Sequence, residues 1–84
     1  MSFEETRSKV IELAAEQAGV DASSVTPATH FVNDLHFDSL DVVEFSMSVE
    51  DEFGVSIPDE QIEKLQTVED AIQLLESLQS AASK

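Results

Sequence analysis

The chain has 84 residues without cysteine or tryptophan, and 18 acidic against four basic residues give it a formal charge of −14 at pH 7. One apolar pattern in so short a chain predicts a single domain over residues 1–84, with no disulfide and no thiolate metal site. The charge excludes electrostatic binding to nucleic acid or to an anionic membrane, and it predicts partners with basic surfaces. No apolar run is long enough to span a bilayer.

The amino-terminal segment, Met1-Ser2-Phe3-Glu4-Glu5, lacks the apolar core of a targeting signal. It predicts a capping box instead, with Ser2 as the N-cap and Glu5 as the third helical residue. We expect a monomeric protein of the cytoplasm, or a processed organelle protein whose targeting segment is absent from this chain.

Apolar periodicity predicts a first helix over about residues 3–18, which Gly19 ends. Residues 20–37 then indicate a long loop with at most one short helical turn. A loop of this length in a compact domain needs anchors or a function. The predicted anchors are Val25, Phe31, Val32 and Leu35. Their inward packing would fix the end of the loop and thereby the position of Ser39, which follows it.

The second helix is predicted to begin at Ser39 or Leu40 and to end at Phe53, with Asp38 as N-cap and Asp41 completing a near capping box. A hydroxyl at this helix start is exposed, and the helix start favours an anion. The predicted core face consists of Val42, Phe45, Ser46, Val49 and Phe53. A second apolar stripe on roughly the opposite side consists of Leu40, Val43 and Met47.

Two interpretations of this second stripe remain open. The loop or a third helix partly covers it, or it is an exposed strip suited to a basic groove on a partner. Carboxylates surround the stripe, namely Asp41, Glu44, Glu50 and Asp51. From Asp34 to Glu63 the sequence contains no lysine or arginine, which favours a docking surface.

Gly54 is a residue type that ends helices, and residues 55–58 are predicted to be extended because the residue before Pro58 avoids the helical region. A short third helix follows from about Asp59 to Leu65. Thr67 caps the fourth helix, with Asp70 at its third position. The buried stripe of that helix consists of Val68, Ala71, Ile72, Leu75 and Leu78. The predicted fold is all-α, a small bundle of three main helices and one short helix with a long first loop.

Other chemistry finds little support in the sequence. The residues around Ser39 do not form a nucleophile-elbow motif, so a hydrolase is a distant alternative. His30 and His36 are interpreted as solvated loop residues because they have no metal-ligand spacing. The acidic run 50–54 is typical of calcium-binding helical proteins, but the twelve-residue calcium loop is missing. We therefore predict no catalytic residue and no metal site, and keep a calcium-responsive binding protein as an alternative.

Several segments together resemble one family, the acyl carrier proteins of discrete, type II fatty acid synthases. The segments are Phe31–Leu35, Asp38–Glu44, Glu52-Phe53, Ile57–Glu60, Lys64 and Thr67-Val68. The resemblance covers nearly the whole chain without a gap. It implies a non-enzymatic four-helix carrier whose Ser39 receives 4′-phosphopantetheine from coenzyme A through a magnesium-dependent transferase. The thiol of this arm would hold acyl intermediates as thioesters.

The resemblance also implies which residues meet the partners and the acyl chain. The second helix would bind the phosphopantetheinyl transferase and synthase enzymes through Asp38, Asp41, Glu44, Met47, Glu50 and Asp51, and the second apolar stripe adds Leu40 and Val43. The acyl chain would lie between the second and third helices. Its predicted lining is Phe31, Phe45, Ser46, Val49, Ile57, Ile62, Leu65, Ala71 and Ile72.

Two positions depart from the family pattern. His36 stands where members usually have glycine, and Ser46 stands on the core face where an apolar residue is expected. A carrier for a polyketide or another specialised pathway therefore remains the alternative to fatty acid synthesis.

Overall fold

The computed structural model describes the backbone of residues 3–82 and the side chains of residues 3–79. Helix α1 spans Phe3–Ala18, α2 spans Ser39–Phe53, α3 spans Asp59–Glu63 and α4 spans Val68–Ala82, with a 3₁₀ turn at Ala22–Ser24. Residues 3–82 contain no β-strand. The predicted all-α fold of three main helices and one short helix is thereby confirmed. The predicted Ser2 cap lies outside the described residues.

Helix α3 ends at Glu63, so the prediction that it extends to Leu65 was wrong. The Lys64 N–H donates to the Gln61 carbonyl at 3.1 Å and the Leu65 N–H to the Ile62 carbonyl at 3.2 Å. Such tightened bonds close the last turn of a helix and stop its growth. No helix in the described part of the chain combines the length and apolar character that a membrane crossing requires.

Helix α1 packs against both α4 and α2 around one core. The largest fully buried side chains are Phe31, Phe45, Ile72, Leu75, Val10, Val49 and Val68. An ion pair between Arg7 and Glu69 at 3.0 Å links α1 to α4. A longer one between Lys9 and Glu52 at 3.8 Å links α1 to the end of α2. Helix α2 is held by α1 on one side, and its first two residues, Ser39 and Leu40, are exposed.

The loop before α2 is anchored by a different set of side chains from the one predicted. Val25 and Phe31 are buried and Leu35 packs against the core. Val32 is 51% exposed, so its prediction as an anchor was wrong. Phe37 anchors the loop in place of Val32, since its ring stacks on Phe31 with centroids 5.5 Å apart. A loop has no periodic face, and the sequence pattern therefore could not tell which of its apolar residues point inward.

His36, just before Phe37, has a left-handed backbone with φ of 60°. For a residue with a Cβ atom this conformation costs about 1–2 kcal/mol, whereas glycine adopts it freely. Glycine gains flexibility in the unfolded chain, which offsets part of that benefit. We expect His36→Gly to raise the free energy of unfolding by up to about 1 kcal/mol, and the β-branched His36→Val to lower it by about 1–2 kcal/mol. Urea denaturation of both variants measures this order, and equal stability of the valine variant and the parent chain would contradict it.

Candidate functional site

Helix α2 begins at Ser39 because Asp38 and Asp41 cap it reciprocally. The Asp38 carboxylate accepts the Asp41 N–H at 2.8 Å, and the Asp41 carboxylate accepts the Asp38 N–H at 3.2 Å. The predicted capping box is therefore confirmed. Ser39 occupies the first helical position with its side chain exposed, so its hydroxyl is available to a partner.

The helix start beside Ser39 keeps unpaired hydrogen-bond donors. The first bond along the helix is donated by the Val42 N–H to the Asp38 carbonyl at 3.1 Å. The N–H groups of Ser39 and Leu40 have no acceptor among the residues that the structure describes. Such groups, with the positive end of the helix dipole, stabilise an anion attached at Ser39.

An open groove of about 600 Å³ lies next to Ser39, between the start of α2 and the region of α3. It is lined by Val32, Phe37, Asp38, Ser39, Val42, Val43, Ile62, Glu63 and Leu65. Most of these side chains are apolar, while Asp38, Ser39 and Glu63 provide polar atoms. The groove can therefore cover an extended ligand whose one end is attached to Ser39.

The structure brings Ile62 and Leu65, two of the predicted acyl-lining residues, to this groove. The other seven lie in the buried interior. They are Phe31, Phe45, Ser46, Val49, Ile57, Ala71 and Ile72. The sequence interpretation assigned no lining role to Val32, Phe37, Val42 and Val43. The last two stand three and four positions after Ser39, and helical spacing could have identified them.

The second apolar stripe of α2 is exposed. Leu40 is 63%, Val43 43% and Met47 58% accessible to solvent. These exposures favour the interpretation of an exposed strip, although Val43 also borders the groove together with Ile62 and Leu65. An exposed apolar strip next to carboxylates is typical of a protein interaction surface.

The carboxylates around this stripe are in two different situations. Asp41 is half-buried, and its oxygens accept the Asp38 N–H and, at 3.2 Å, the side-chain amide of Gln17. Glu50 is also half-buried and accepts the Ile57 N–H at 2.6 Å. These two carboxylates hold backbone segments in place and are less available to a partner.

Glu44 and Asp51, in contrast, are exposed. One oxygen of Glu44 accepts the Gln17 amide at 2.9 Å. Gln17 of α1 thus bridges Asp41 and Glu44, a contact between distant parts of the chain that no sequence signal indicates.

Ser46 and the two histidines are accommodated locally. The buried Ser46 hydroxyl donates to the Val42 carbonyl of its own helix at 2.8 Å, so it needs no polar ligand. His36 is exposed, whereas His30 is half-buried and its Nδ1 accepts the backbone N–H groups of Val32 and Asn33. Among the described residues, no group of three His, Cys, Asp or Glu side chains could hold a metal ion.

Comparisons with known proteins show the family to which the chain belongs. Residues 8–75 match the family described as phosphopantetheine attachment site. The chain is 48% identical over 79 residues to the acyl carrier protein of Lactobacillus acidophilus, an alignment that covers 94% of this chain and 99% of the relative. It is also similar to the solved acyl carrier protein of Enterococcus faecalis, with a TM-score of 0.77, 37% identity and coverage of 93% and 99% of the two chains. The chain therefore belongs to the phosphopantetheine attachment family and, within it, to the acyl carrier proteins.

Proposed function

We propose that Ser39 is the attachment residue of the 4′-phosphopantetheine arm, and that this chain carries acyl intermediates of fatty acid biosynthesis as thioesters on the arm. The observation that carries the proposal is the exposed Ser39 side chain at the first position of α2, where the N–H groups of Ser39 and Leu40 are unpaired and Ser39 borders an apolar groove. The chain acts as a carrier and not as an enzyme.

The residues at this helix start fit the group that the family holds. A phosphodiester on the Ser39 hydroxyl would lie next to the N–H groups of Ser39 and Leu40, and the positive end of the α2 dipole favours its charge. The Asp38 and Asp41 carboxylates accept backbone N–H groups of the capping box, which partly offsets their repulsion of that charge. When bound, the arm supplies a thiol for thioester formation.

Intact mass spectrometry tests this function directly. The apo chain is incubated with coenzyme A, magnesium and a phosphopantetheinyl transferase that modifies another carrier protein in a parallel reaction. We expect a mass gain of one arm per chain, located on the peptide that contains Ser39. An unmodified chain beside a fully modified reference carrier would overturn the proposal.

For the partners, we infer transferase and synthase enzymes whose basic patches bind α2. Leu40, Val43 and Met47 offer the apolar contact, and Glu44 and Asp51 offer exposed charge beside it. The lack of lysine and arginine from Asp34 to Glu63 makes this side strongly negative, although Lys9 approaches Glu52 from α1. We further propose that the chain is a monomeric, single-domain carrier over residues 1–84 and that it works in the cytoplasm.

Charge reversal on α2 distinguishes docking carboxylates from structural ones. We expect Glu44→Lys and Asp51→Lys each to weaken transferase binding about tenfold at low salt while the circular dichroism of the helices stays unchanged. The effect should shrink as salt rises, because screening shortens the reach of charges to about 8 Å near physiological ionic strength. Titration calorimetry at two salt concentrations measures both trends.

A control with the same charge change keeps this test specific. Glu4→Lys reverses an exposed charge on α1 and should alter binding much less. Met47→Ala should weaken binding without changing its salt dependence, because it removes apolar contact only. Equal losses for Glu4→Lys and Glu44→Lys would contradict docking through α2.

The groove suggests where the acyl chain lies. Its walls at Ile62, Leu65 and Val42 are apolar, and burial of each methylene contributes about 0.8 kcal/mol. We expect the melting temperature of the acylated chain to rise with acyl length until the groove is filled. Differential scanning calorimetry of carriers that hold acyl chains of about two to twelve carbons tests this expectation. A melting temperature independent of acyl length would indicate an exposed chain.

A further inference from the structure

Gln17, near the carboxyl end of α1, bonds two carboxylates of α2 through one side-chain nitrogen. Its Nε2 donates to Asp41 Oδ1 at 3.2 Å and to Glu44 Oε1 at 2.9 Å. An amide nitrogen carries two hydrogens, so each carboxylate can receive one of them. Ionised carboxylates only accept hydrogen bonds, and the amide therefore turns its nitrogen, and not its oxygen, toward α2.

The chain holds the two bridged carboxylates in different ways. Asp41 uses its other oxygen to accept the Asp38 N–H in the capping box. Glu44 is exposed, and its Oε2 has no hydrogen-bond partner among the residues that the structure describes. That oxygen remains able to accept a bond from a cationic side chain of a partner. Gln17 therefore connects an exposed carboxylate of the docking surface to the cap at the start of α2.

The bridge supplies hydrogen bonds without supplying charge. Asp41 and Glu44 lie three positions apart on α2, where like charges repel each other. A lysine or arginine in place of Gln17 would relieve this repulsion but would also cancel one negative charge. At the other end of α2 the contact from α1 is a cation, since Lys9 lies 3.8 Å from Glu52. Helix α1 thus offsets charge at the end of α2 and preserves it near the start.

We propose that Gln17 is a positioning residue of the docking surface, which holds the Glu44 carboxylate ready for a basic side chain of the partner without neutralising it. This inference rests on docking through α2 as proposed above, and it gives α1 a part in partner recognition. A glutamate that is held before binding loses less side-chain entropy when the partner arrives. The cost of immobilising one such side chain corresponds to about two- to tenfold in the dissociation constant.

A double-mutant cycle tests whether Gln17 acts through Glu44. Gln17→Met removes both donors, keeps a side chain of similar length and leaves the net charge unchanged. Glu44→Gln removes the charge that is positioned, and the double variant completes the cycle, which isolates the coupling between the two side chains. Gln73→Met is the matched control, because it makes the same chemical change at an exposed glutamine of α4.

The dissociation constant of the apo chain from a phosphopantetheinyl transferase is measured by titration calorimetry at low and at physiological salt. We expect Gln17→Met to weaken binding about two- to tenfold. Its salt dependence should match that of the parent chain, since the charge is the same. In the Glu44→Gln background, the same substitution should change the dissociation constant by less than about twofold. Gln73→Met should bind like the parent chain.

A lysine at the bridging position separates orientation from charge. Gln17→Lys keeps donors beside both carboxylates and relieves their repulsion, so the melting temperature of the free chain should rise. It should nevertheless weaken binding more than Gln73→Lys, which adds the same charge on α4, and its binding should depend less on salt. Equal affinities of Gln17→Lys and Gln73→Lys would contradict a role for the preserved charge.

The cycle also separates this inference from the docking proposal. If the parent chain does not bind the transferase, docking through α2 fails and the inference fails with it. If the parent chain binds but Gln17→Met weakens binding equally with and without the Glu44 charge, only the inference is overturned, because Gln17 would then act directly on the partner or through the fold. An unchanged dissociation constant for Gln17→Met would overturn it as well.

Discussion

Ser39→Ala is expected to abolish arm attachment completely while leaving the fold intact. The helix keeps its start because the cap comes from Asp38 and Asp41, whose side chains are unchanged. The Ser39 side chain is exposed, and alanine favours a helix slightly more than serine. Stability should therefore change by less than about 0.5 kcal/mol. Intact mass after reaction with the transferase and circular dichroism of the same sample measure the two effects.

A serine on the same helix provides the control for this experiment. Ser48 is exposed on α2, and Ser48→Ala should accept one arm as the parent chain does. An arm on the Ser39→Ala variant, at Ser46 or at any other serine, would refute the assignment of the attachment residue.

Phe31→Ala is expected to have the largest effect on stability. The Phe31 ring is fully buried between Phe37 and Phe45, at centroid distances of 5.5 and 5.1 Å. Removal of a buried phenylalanine costs about 3–5 kcal/mol, a large share of the roughly 5–15 kcal/mol that a domain has. The lost ring also releases the turn that precedes Ser39. We therefore expect a partly unfolded chain that the transferase modifies slowly.

The neighbouring Val32→Ala variant is a strict control, because Val32 is 51% exposed. It should change the free energy of unfolding by about 0.5 kcal/mol or less. Urea denaturation followed by circular dichroism compares the two variants. Similar losses for both would show that the aromatic cluster does not hold the loop.

The sequence predicted the parts of the fold that depend on helical periodicity and capping. The bounds of α1 and α2, the capping box at Asp38 and the second apolar stripe through Met47 all follow from local spacing, whereas the exposure of that stripe was left open. The end of α3 could not be predicted, because bonds within the last turn leave no mark on the apolar pattern. The inward position of Phe37 depends on the left-handed backbone of His36. The apolar pattern of the sequence does not indicate this conformation.

The candidate site, like the fold, was predicted from the sequence only in part. Ser39 and the carboxylates around the second apolar stripe follow from the sequence, whereas the division of these carboxylates into exposed and half-buried ones does not. Gln17 meets Asp41 and Glu44 only because α1 crosses α2 in the folded chain. Glu50 meets Ile57 only because the segment after Gly54 turns back along α2. Contacts of this kind arise from tertiary packing, which a local pattern does not encode.

The shortness of α3 has a consequence for the load. A helix of five residues has too few internal bonds to persist alone, so its position depends on Ile62 and on the bond that Glu50 makes to Ile57. Its Ile62 and Glu63 border the groove, and α2 is the helix that α3 packs against in the described part of the chain. The groove can therefore widen by displacement of one weakly held turn while the α1–α2–α4 packing stays intact. With the acyl chain in the groove, as proposed above, we expect a carrier built in this way to adapt to loads of increasing length without unfolding.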